Sequence, residues 1–314
     1  MTQASPALDG TVKHDAERAA RLAFVALIAG ALAISFSPIF VRVSEPEPTA
    51  TAFWRVFLAL PLLIVWTGGR RGRVTVPRRE GLRVRELCLL ALPGVAFAGD
   101  LFFWHWSIQY TSVANSTLFA NLAPIFVVLA AWLLFGQRFS RLFLAGLATA
   151  VAGAAMLIGG SLSLGWSHLL GDGMATITAL FYAAYILGIG HLSRRYSTRY
   201  LMIVSAVVSS LILLPAAILA GESLIPQTVR GWLILLGLAW ISQAAGQTLI
   251  ALGLARLPAA FSSISLLVQP VGAALLAWLL LAEGLALHQI VGGLVVLYGI
   301  FLARRGSRPA RPRD

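Results

Sequence analysis

Asp100 lies near the middle of a long apolar segment, well away from any polar stretch. On insertion scales a charged side chain at the centre of a lipid bilayer costs about 2.5–3.5 kcal/mol, so such residues usually face a cavity or a partner. Asp100 is therefore a candidate for binding a ligand and for taking up a proton. The structural alternative is a hydrogen bond or an ion pair with a neighbouring helix.

Trp104 and His105 follow Asp100 in the same segment and are the next candidates. At about 100° per residue, Asp100 and Trp104 share one face of the predicted helix, whereas His105 lies on another. A direct contact between Asp100 and His105 is therefore not expected. His105 fits a ligand-binding or pH-sensing residue as well as a packing histidine held by a hydrogen bond. Trp104 fits a cavity wall or an anchor at the membrane interface.

Arg55 lies within the second apolar segment, close to its beginning. One interpretation is that its guanidinium contacts an anionic group or locks a closed gate. The alternative is that the side chain snorkels, with its charge at the lipid headgroups and its stem along the apolar surface.

Amide side chains also occur inside the apolar segments. They are candidates for hydrogen bonding to a polar ligand, and hydrogen bonds between helices are the alternative. The residues concerned are Asn115, Asn121, Gln243, Gln247 and Gln269.

Pro124 and Pro270 each remove one backbone hydrogen bond from an apolar segment. Each is expected to kink its helix. Both are candidates for hinges of a moving gate, and a static kink that shapes a cavity is the alternative.

Acidic residues near the ends of the apolar segments are predicted to have structural roles. Asp172 and Glu283 lie at predicted helix ends and are interpreted as caps or interfacial charges. Glu45 and Glu47 lie in a proline-containing stretch between two apolar segments and are predicted to be solvated.

The composition of the chain is that of a membrane protein. Of its 314 residues, 59% are hydrophobic and 11% are charged, whereas soluble domains are about 45–50% apolar and 25% charged. The net charge of +12 is spread in short clusters between apolar segments, so nucleic-acid binding is not expected. The single cysteine, Cys88, excludes a disulfide framework. No phosphate-binding loop, nucleophile elbow or His-Glu-x-x-His motif occurs, so neither catalysis nor a cofactor or metal site is predicted.

Ten segments are long enough to span a bilayer, which takes about 20 mostly apolar residues. They are predicted at 22–43, 50–67, 87–109, 112–135, 141–159, 173–191, 200–220, 231–255, 258–281 and 288–303. If the N-terminus is cytoplasmic, 21 of the 24 basic residues lie on the cytoplasmic side and two lie on the other side. Since basic residues concentrate in cytoplasmic loops, both termini are predicted to be cytoplasmic.

The second half of the sequence repeats the first at an offset of 146 residues. Pro124 then aligns with Pro270 and Gly146 with Gly292, and an Ala-Trp-Leu-Leu tetrapeptide recurs. Each copy holds five predicted spans. Because five is odd, the second copy enters the membrane from the other side, which gives the inverted repeats typical of transporters.

Three groups of residues resemble a known family. They are Phe53-Trp54-Arg55; Tyr110-Thr111-Ser112 with Ala114 and Pro124; and Trp132, Gly136, Gly146 and Gly153 with their counterparts in the second half. In these groups the sequence is similar to the EamA-type branch of the drug/metabolite transporter superfamily. The family's Gly-Glu pair after the fourth and ninth spans is only half kept, as Gly136-Gln137 and Ala282-Glu283. The resemblance implies secondary transport through a central cavity, lined mainly by the third, fourth, eighth and ninth spans.

We therefore predict an all-α polytopic membrane protein with ten transmembrane helices in two inverted five-helix repeats. A disordered cytoplasmic tail is predicted at 1–18, the first repeat at 19–160, the second at 171–304 and a basic cytoplasmic tail at 305–314. The resemblance implies export of a small polar metabolite, such as an amino acid, across the inner membrane by alternating access. Asp100 makes protons a candidate coupling ion. The alternatives are a membrane-embedded enzyme, a channel, and an importer of a nucleotide-like or cofactor-like metabolite.

Overall fold

The computed structural model describes residues 6–68, 84–111, 113–158, 168–281 and 286–307, and every regular element among them is helical. The helices are Pro6–Ile34 (α1), Ser37–Arg42 (α2), Pro48–Phe57 (α3), Ala59–Gly68 (α4), Val84–Tyr110 (α5), Val113–Ala120 (α6), Ala123–Phe135 (α7), Arg141–Ile158 (α8), Leu169–Leu192 (α9), Thr198–Leu219 (α10), Val229–Gly237 (α11), Thr248–Leu254 (α12), Ala259–Ser265 (α13), Val268–Leu281 (α14) and Leu287–Gly306 (α15). A π-helical segment, Leu238–Gln247, joins α11 to α12.

Within the described residues, ten helical stretches are long and apolar enough to cross a bilayer. They are Glu17–Arg42, Pro48–Val65, Val84–Tyr110, Asn115–Phe135, Arg141–Ile158, Leu169–Leu192, Thr198–Leu219, Val229–Leu254, Ala259–Leu276 and Leu287–Gly306. Each overlaps one of the ten segments predicted from the sequence, so the ten-helix architecture is confirmed. Ten crossings return the chain to the face where it began, which we call the N-terminal face; the other is the opposite face.

Helix α1 begins well before the first membrane span. It starts at Pro6, so residues 6–18 continue the span as a helix where the sequence analysis predicts disorder. The stretch 15–21 is rich in Ala, Glu and Arg, which are strong helix formers, so a helix nucleated in the apolar span can extend through it. Residues 1–5 and most of the basic C-terminal tail, 308–314, lie outside the described residues.

The fourth and ninth spans are each built from two helices, α6 with α7 and α13 with α14. Pro124 lies in the first turn of α7 and Pro270 in the first turn of α14. The first-turn N–H groups of a helix have no intrahelical partner, so a proline there costs little. Each predicted kink is therefore a helix break just before its proline, and the two breaks lie at matching places in the two repeats.

Helices α8 and α15 form a close seam between the repeats. A Cβ atom added at Gly146 would lie 2.4 Å from the backbone nitrogen of Ala303, and one added at Gly292 would lie 2.5 Å from the backbone nitrogen of Leu157. The 146-residue offset carries Gly146 to Gly292 and Leu157 to Ala303, so each contact is the repeat-related copy of the other. A two-fold axis between inverted repeats carries each of these contacts onto the other. The pair of contacts therefore supports the predicted inverted duplication.

On the opposite face, the connection after α10 reaches the beginning of α3. Gly221 adopts a left-handed conformation (φ 70°), and the backbone N–H of Glu222 donates to the carbonyl oxygen of Ala217, which is the Schellman ending of a helix. This turn directs the Glu222 carboxylate to the backbone N–H groups of Thr49 (3.2 Å) and Ala50 (2.7 Å). Glu222 therefore caps a helix that lies more than 170 residues earlier in the chain.

Glu45 makes the converse contact on the same face. Its carboxylate accepts hydrogen bonds from the backbone N–H groups of Gln227 and Thr228, and from the Thr228 hydroxyl, just before α11. The hydroxyl bond is the largest of the effects that hold the pKa of Glu45 below its usual value. Glu45 is exposed, but it is bonded to another loop rather than merely solvated as the sequence analysis predicts.

Candidate functional site

A cavity of about 100 Å³ lies between the two repeats. Its walls come from the third, fourth and ninth spans, as the resemblance implies, and also from the first, second and sixth; the eighth contributes Gln247. Pockets that hold small ligands usually measure about 300–1,000 Å³. In this conformation the cavity is therefore small for a metabolite, and it would have to widen to hold one.

The fourth and ninth spans contribute repeat-related residues to the cavity wall. The matched pairs, each separated by 146 positions, are Thr117 with Ser263, Ala120 with Leu266, Asn121 with Leu267, Ala123 with Gln269, and Pro124 with Pro270. All of these residues surround the two helix breaks. The axis that relates the repeats therefore passes through the cavity, and the breaks form part of its wall.

Arg55 points into the protein rather than to the membrane surface. Its side chain is 3% exposed and lines the cavity, which excludes the snorkelling alternative. Its Nε donates a hydrogen bond to Oε1 of Gln243 at 3.2 Å, and the guanidinium carbon lies 5.9 Å from the centre of the Phe97 ring. The π-helical segment, which carries Gln243, thereby holds a cation in place at the cavity, with its charge partly balanced by an aromatic face.

Asp100 and Trp104 both line the cavity, and His105 does not. This division follows the two faces predicted for the third span. Asp100 and Arg55 bring groups of opposite charge to the wall of the same cavity. The Nδ1 of His105 lies 2.8 Å from the carbonyl oxygen of Pro48, at the beginning of α3, so His105 packs one span against another and is not placed to contact a ligand in the cavity.

The amide candidates fall into three environments. Asn121, Gln247 and Gln269 line the cavity. The Asn121 amide donates to the carbonyl oxygen of Thr117 at the helix break (2.7 Å). Gln243 lies behind Arg55 rather than in the wall, and Asn115 is fully buried near the opposite face.

Three polar groups of the cavity have no hydrogen bond of normal geometry among the described residues. They are Oη of Tyr182, Oε1 of Gln247 and Nε2 of Gln269. The Tyr182 hydroxyl lies beside the other two side chains. Buried polar atoms are normally satisfied, and small rotations would let these three groups pair with one another or with a polar ligand that enters the cavity.

A polar cluster, defined as Thr111, Asn115 and Asp172, lies at the end of the cavity nearer the opposite face. The carboxylate of Asp172 accepts hydrogen bonds from Oγ1 of Thr111 (2.7 Å) and from Nδ2 of Asn115 (3.1 Å to one oxygen). It therefore fastens the end of α5 and the start of α6 to α9, whereas the sequence alone led to its interpretation as a cap or an interfacial charge.

An aromatic cluster, defined as Phe24, Phe261 and Arg304, lies at the end nearer the N-terminal face. The rings of Phe24 and Phe261 stack with their centres 5.8 Å apart. The guanidinium carbon of Arg304 lies 4.7 Å from the centre of the Phe24 ring. This cluster fastens α13 to α1 and α15.

The structure also shows cavity residues that the sequence analysis does not single out. Ser35 and Ser37 of the first span, and Thr178 and Tyr182 of the sixth, line the cavity. Hydroxyl groups occur throughout the apolar segments, so their type alone carries little signal. No group of three or more His, Cys, Asp or Glu side chains capable of holding a metal ion occurs among the described residues.

Ten membrane spans, two inverted repeats and a central cavity with charged and amide side chains on its wall define the class of multi-pass membrane transporters. Comparison with known proteins agrees. The model of the EamA-like transporter family matches residues 21–159 and 169–305, and the chain belongs to that family. Members of the family are transporters rather than enzymes.

Several relatives are similar along most of the chain. A transporter of Archaeoglobus fulgidus is 24% identical over 85% of this chain and 91% of its own. The pseudopaline exporter CntI of Pseudomonas aeruginosa is 26% identical over 88% of this chain and 95% of its own. A probable terminal-alkyne amino-acid exporter of Streptantibioticus cattleyicolor is 26% identical over 71% and 75%. One solved structure superposes with a TM-score of 0.74 over 93% of this chain and 99% of its own, at 18% identity, which shows the shared fold.

Proposed function

We propose that this protein is a secondary active transporter that exports a small polar metabolite, an amino acid or a related compound, by alternating access. The observation that carries the proposal is the cavity on the axis between the repeats, with Arg55 and Asp100 on its wall. Two similar halves can exchange conformations, which opens a central site to one face and then to the other.

The charges of the cavity wall favour a cargo that carries charges of both signs. Arg55 is placed to pair with a carboxylate and Asp100 with an ammonium group. The unsatisfied amide and hydroxyl groups of Tyr182, Gln247 and Gln269 add hydrogen-bonding capacity. Two relatives bear the names of exporters of pseudopaline and of a terminal-alkyne amino acid, and these names support both the chemical class and the direction.

The side of each terminus follows from the basic residues. Those in the connections of the N-terminal face, such as Arg194, Arg195 and Arg256, are exposed. Since basic loops remain in the cytoplasm, we assign the N-terminal face to the cytoplasm of a cell whose inner membrane holds the protein.

Transport in proteoliposomes tests the function. Vesicles preloaded with an unlabelled amino acid are diluted into the same amino acid labelled with tritium, and a panel of amino acids is compared. An alternating-access carrier gives saturable uptake and transient accumulation of label by counterflow. Flux that rises linearly with concentration and shows no counterflow would indicate a channel instead.

Proton coupling is tested separately with Asp100→Asn. If Asp100 carries the coupled proton, the variant loses uphill transport driven by an imposed pH gradient but retains counterflow, which needs no net proton movement. A variant with an unchanged response to the gradient would show that Asp100 does not couple protons to transport.

A further inference from the structure

We propose that the polar cluster and the aromatic cluster are the two gates of the transport path, one toward each face. This inference rests on the alternating access proposed above. It goes further by assigning the gates to named residues and by giving the two gates different chemistry.

The two clusters occupy repeat-related positions. Asn115 and Phe261 are separated by the 146-residue offset of the repeats. Ile34 and Pro38 of the first span and Tyr182 and Ile186 of the sixth line the cavity at the same spacing. Phe24 precedes Ile34 by ten residues, and Asp172 precedes Tyr182 by ten. The hydrogen bond between Asn115 and Asp172 is thus the counterpart of the stacking between Phe261 and Phe24.

Both clusters lie directly beyond the cavity. Thr117 and Ser263, which line the cavity, follow Asn115 and Phe261 by two residues. Two residues of α-helix advance by about 3 Å along the axis. A ligand that leaves the cavity along the fourth or the ninth span therefore meets one of the clusters.

The short helices α6 and α13 are suited to move as gate elements. Each is separated from the remainder of its span by a helix break, at residues 121–122 before α7 and at residues 266–267 before α14. Such a break can absorb changes in backbone angles, so a short helix can swing without disturbing the long helix that follows it. Asn115 and Phe261 lie on the short helices, and their partners Asp172 and Phe24 lie on the long helices α9 and α1.

The chemistry of the two gates differs although their positions correspond. The polar cluster is held by hydrogen bonds to a carboxylate, and the aromatic cluster by a ring stack and a cation above it. Both contacts are formed together in this structure, in which the cavity measures about 100 Å³. Because the contacts are chemically distinct, either gate can be weakened without changing the other.

Labelling of a single cysteine tests the two gates separately. Cys88 is replaced by Ser, and Ala120→Cys places a reporter in the cavity wall between the clusters. A membrane-impermeant maleimide is then added to right-side-out or inside-out vesicles, whose orientation is verified by the accessibility of a tag on the N-terminus. Asp172→Ala removes the acceptor of the hydrogen bonds from both Thr111 and Asn115, and each bond to a charged group is worth a factor of about ten or more. Labelling from the opposite face should therefore increase by more than about tenfold, without an increase from the N-terminal face.

Phe261→Ala should show the reverse pattern, with faster labelling from the N-terminal face only. Glu47→Gln is the matched control for Asp172, because Glu47 is an exposed acid in a connection of the opposite face and belongs to neither cluster. Equal increases from both faces in either gate variant, or no increase in either one, would overturn the assignment.

A second route covers a failure of Asp172→Ala to fold. Thr111→Val preserves the shape of the side chain and removes one of the donors to Asp172, so it should give the same sidedness with a smaller increase. The labelling assay needs no substrate. If labelling changes as expected in the gate variants but no amino acid is transported, the proposed cargo is wrong. If amino acids are transported but labelling does not change in the gate variants, the assignment of the two gates is wrong.

Discussion

Nε of Arg55 and Oε1 of Gln243 lie 3.2 Å apart, and this hydrogen bond joins the second span to the π-helical segment of the eighth. A π-helical stretch is rare and frequently accompanies a functional site. Here it presents Gln243 to Arg55 and, four residues later, Gln247 to the cavity. The hydrogen bond to Gln243 selects one rotamer of the Arg55 side chain and thereby fixes the position of its charge.

Replacing Arg55 should therefore impair transport more strongly than replacing Gln243. Removing one partner of a buried, hydrogen-bonded pair of charges costs about 2–5 kcal/mol of binding free energy. If Arg55 pairs with the carboxylate of the cargo, Arg55→Ala should lower the transport rate at subsaturating substrate by at least about thirtyfold. Arg55→Lys keeps the charge but loses the planar fork, and recovery should be partial. Initial rates in the proteoliposome assay provide the measurement.

Gln243→Leu leaves the charge in place and removes its acceptor, so a decrease of about tenfold is expected. Arg42→Ala is the control, because Arg42 is an exposed arginine at the end of α2. Full activity of Arg55→Ala would show that the cavity does not bind cargo through this cation.

The glycine seam between α8 and α15 should tolerate no added volume. Gly146→Val and Gly292→Val would each place atoms against the backbone of the facing helix, as close as 2.4 and 2.5 Å from a nitrogen for the Cβ alone. Overpacking of this kind costs about 1–3 kcal/mol. Both variants should therefore unfold at lower temperature in detergent, by similar amounts because the two sites are repeat-related.

Gly173→Ala is the matched control for the seam. A Cβ atom there would meet no other atom within 4 Å, and Gly173 lies within α9. Replacing a helical glycine with alanine is worth about 0.5–1 kcal/mol, so this variant should be as stable as the parent or more stable. Unequal losses at Gly146 and Gly292 would argue that the seam is not symmetric.

Glu222→Ala should loosen the beginning of α3. The side chain is 8% exposed and bonds to two backbone N–H groups, and loss of a helix cap costs about 0.5–2 kcal/mol. A lower melting temperature is expected, and hydrogen exchange should increase at Thr49 and Ala50. Glu222→Gln keeps the shape and an acceptor oxygen, so it should lose less stability.

Glu47→Ala provides the comparison, since Glu47 precedes α3 in sequence but makes no capping hydrogen bond with its side chain. If Glu47→Ala destabilised the protein as much as Glu222→Ala, the long-range cap would not be what holds α3.

The sequence predicts the features of this protein that depend on periodicity and composition. Spans, repeats and the separate faces of Asp100 and His105 follow from regular spacing along a helix, which needs no knowledge of the fold. The offset of 146 residues also predicts that Pro124 and Pro270 lie at equivalent places, and the structure brings both to the cavity.

Contacts between distant segments are what the sequence does not predict. Glu45 and Asp172 look like ordinary charges at helix ends, yet each binds groups about 60 or more residues away in the chain. Their partners, such as Thr111 and Thr228, are common residue types with no distinctive spacing. Nothing in a single sequence indicates which hydroxyl will meet which carboxylate, because that depends on how the spans pack.

The helix breaks before Pro124 and Pro270 give a final prediction, which concerns motion. Pro124→Ala supplies an N–H that can bond to the carbonyl of Ala120, so α6 and α7 can join into one continuous helix. The added hydrogen bond is worth about 1 kcal/mol, and the variant should therefore melt at a slightly higher temperature. Because the break lies in the cavity wall and links α6 to the rest of the fourth span, transport should fall several-fold in spite of the higher stability. Pro270→Ala should have the same two effects, and the double variant should be slower than either single one.

Pro215→Ala is the control, since Pro215 lies inside α10, away from the cavity wall, and its removal should leave transport unchanged. Transport at the parental rate in the double variant would mean that the breaks shape the cavity without serving as hinges.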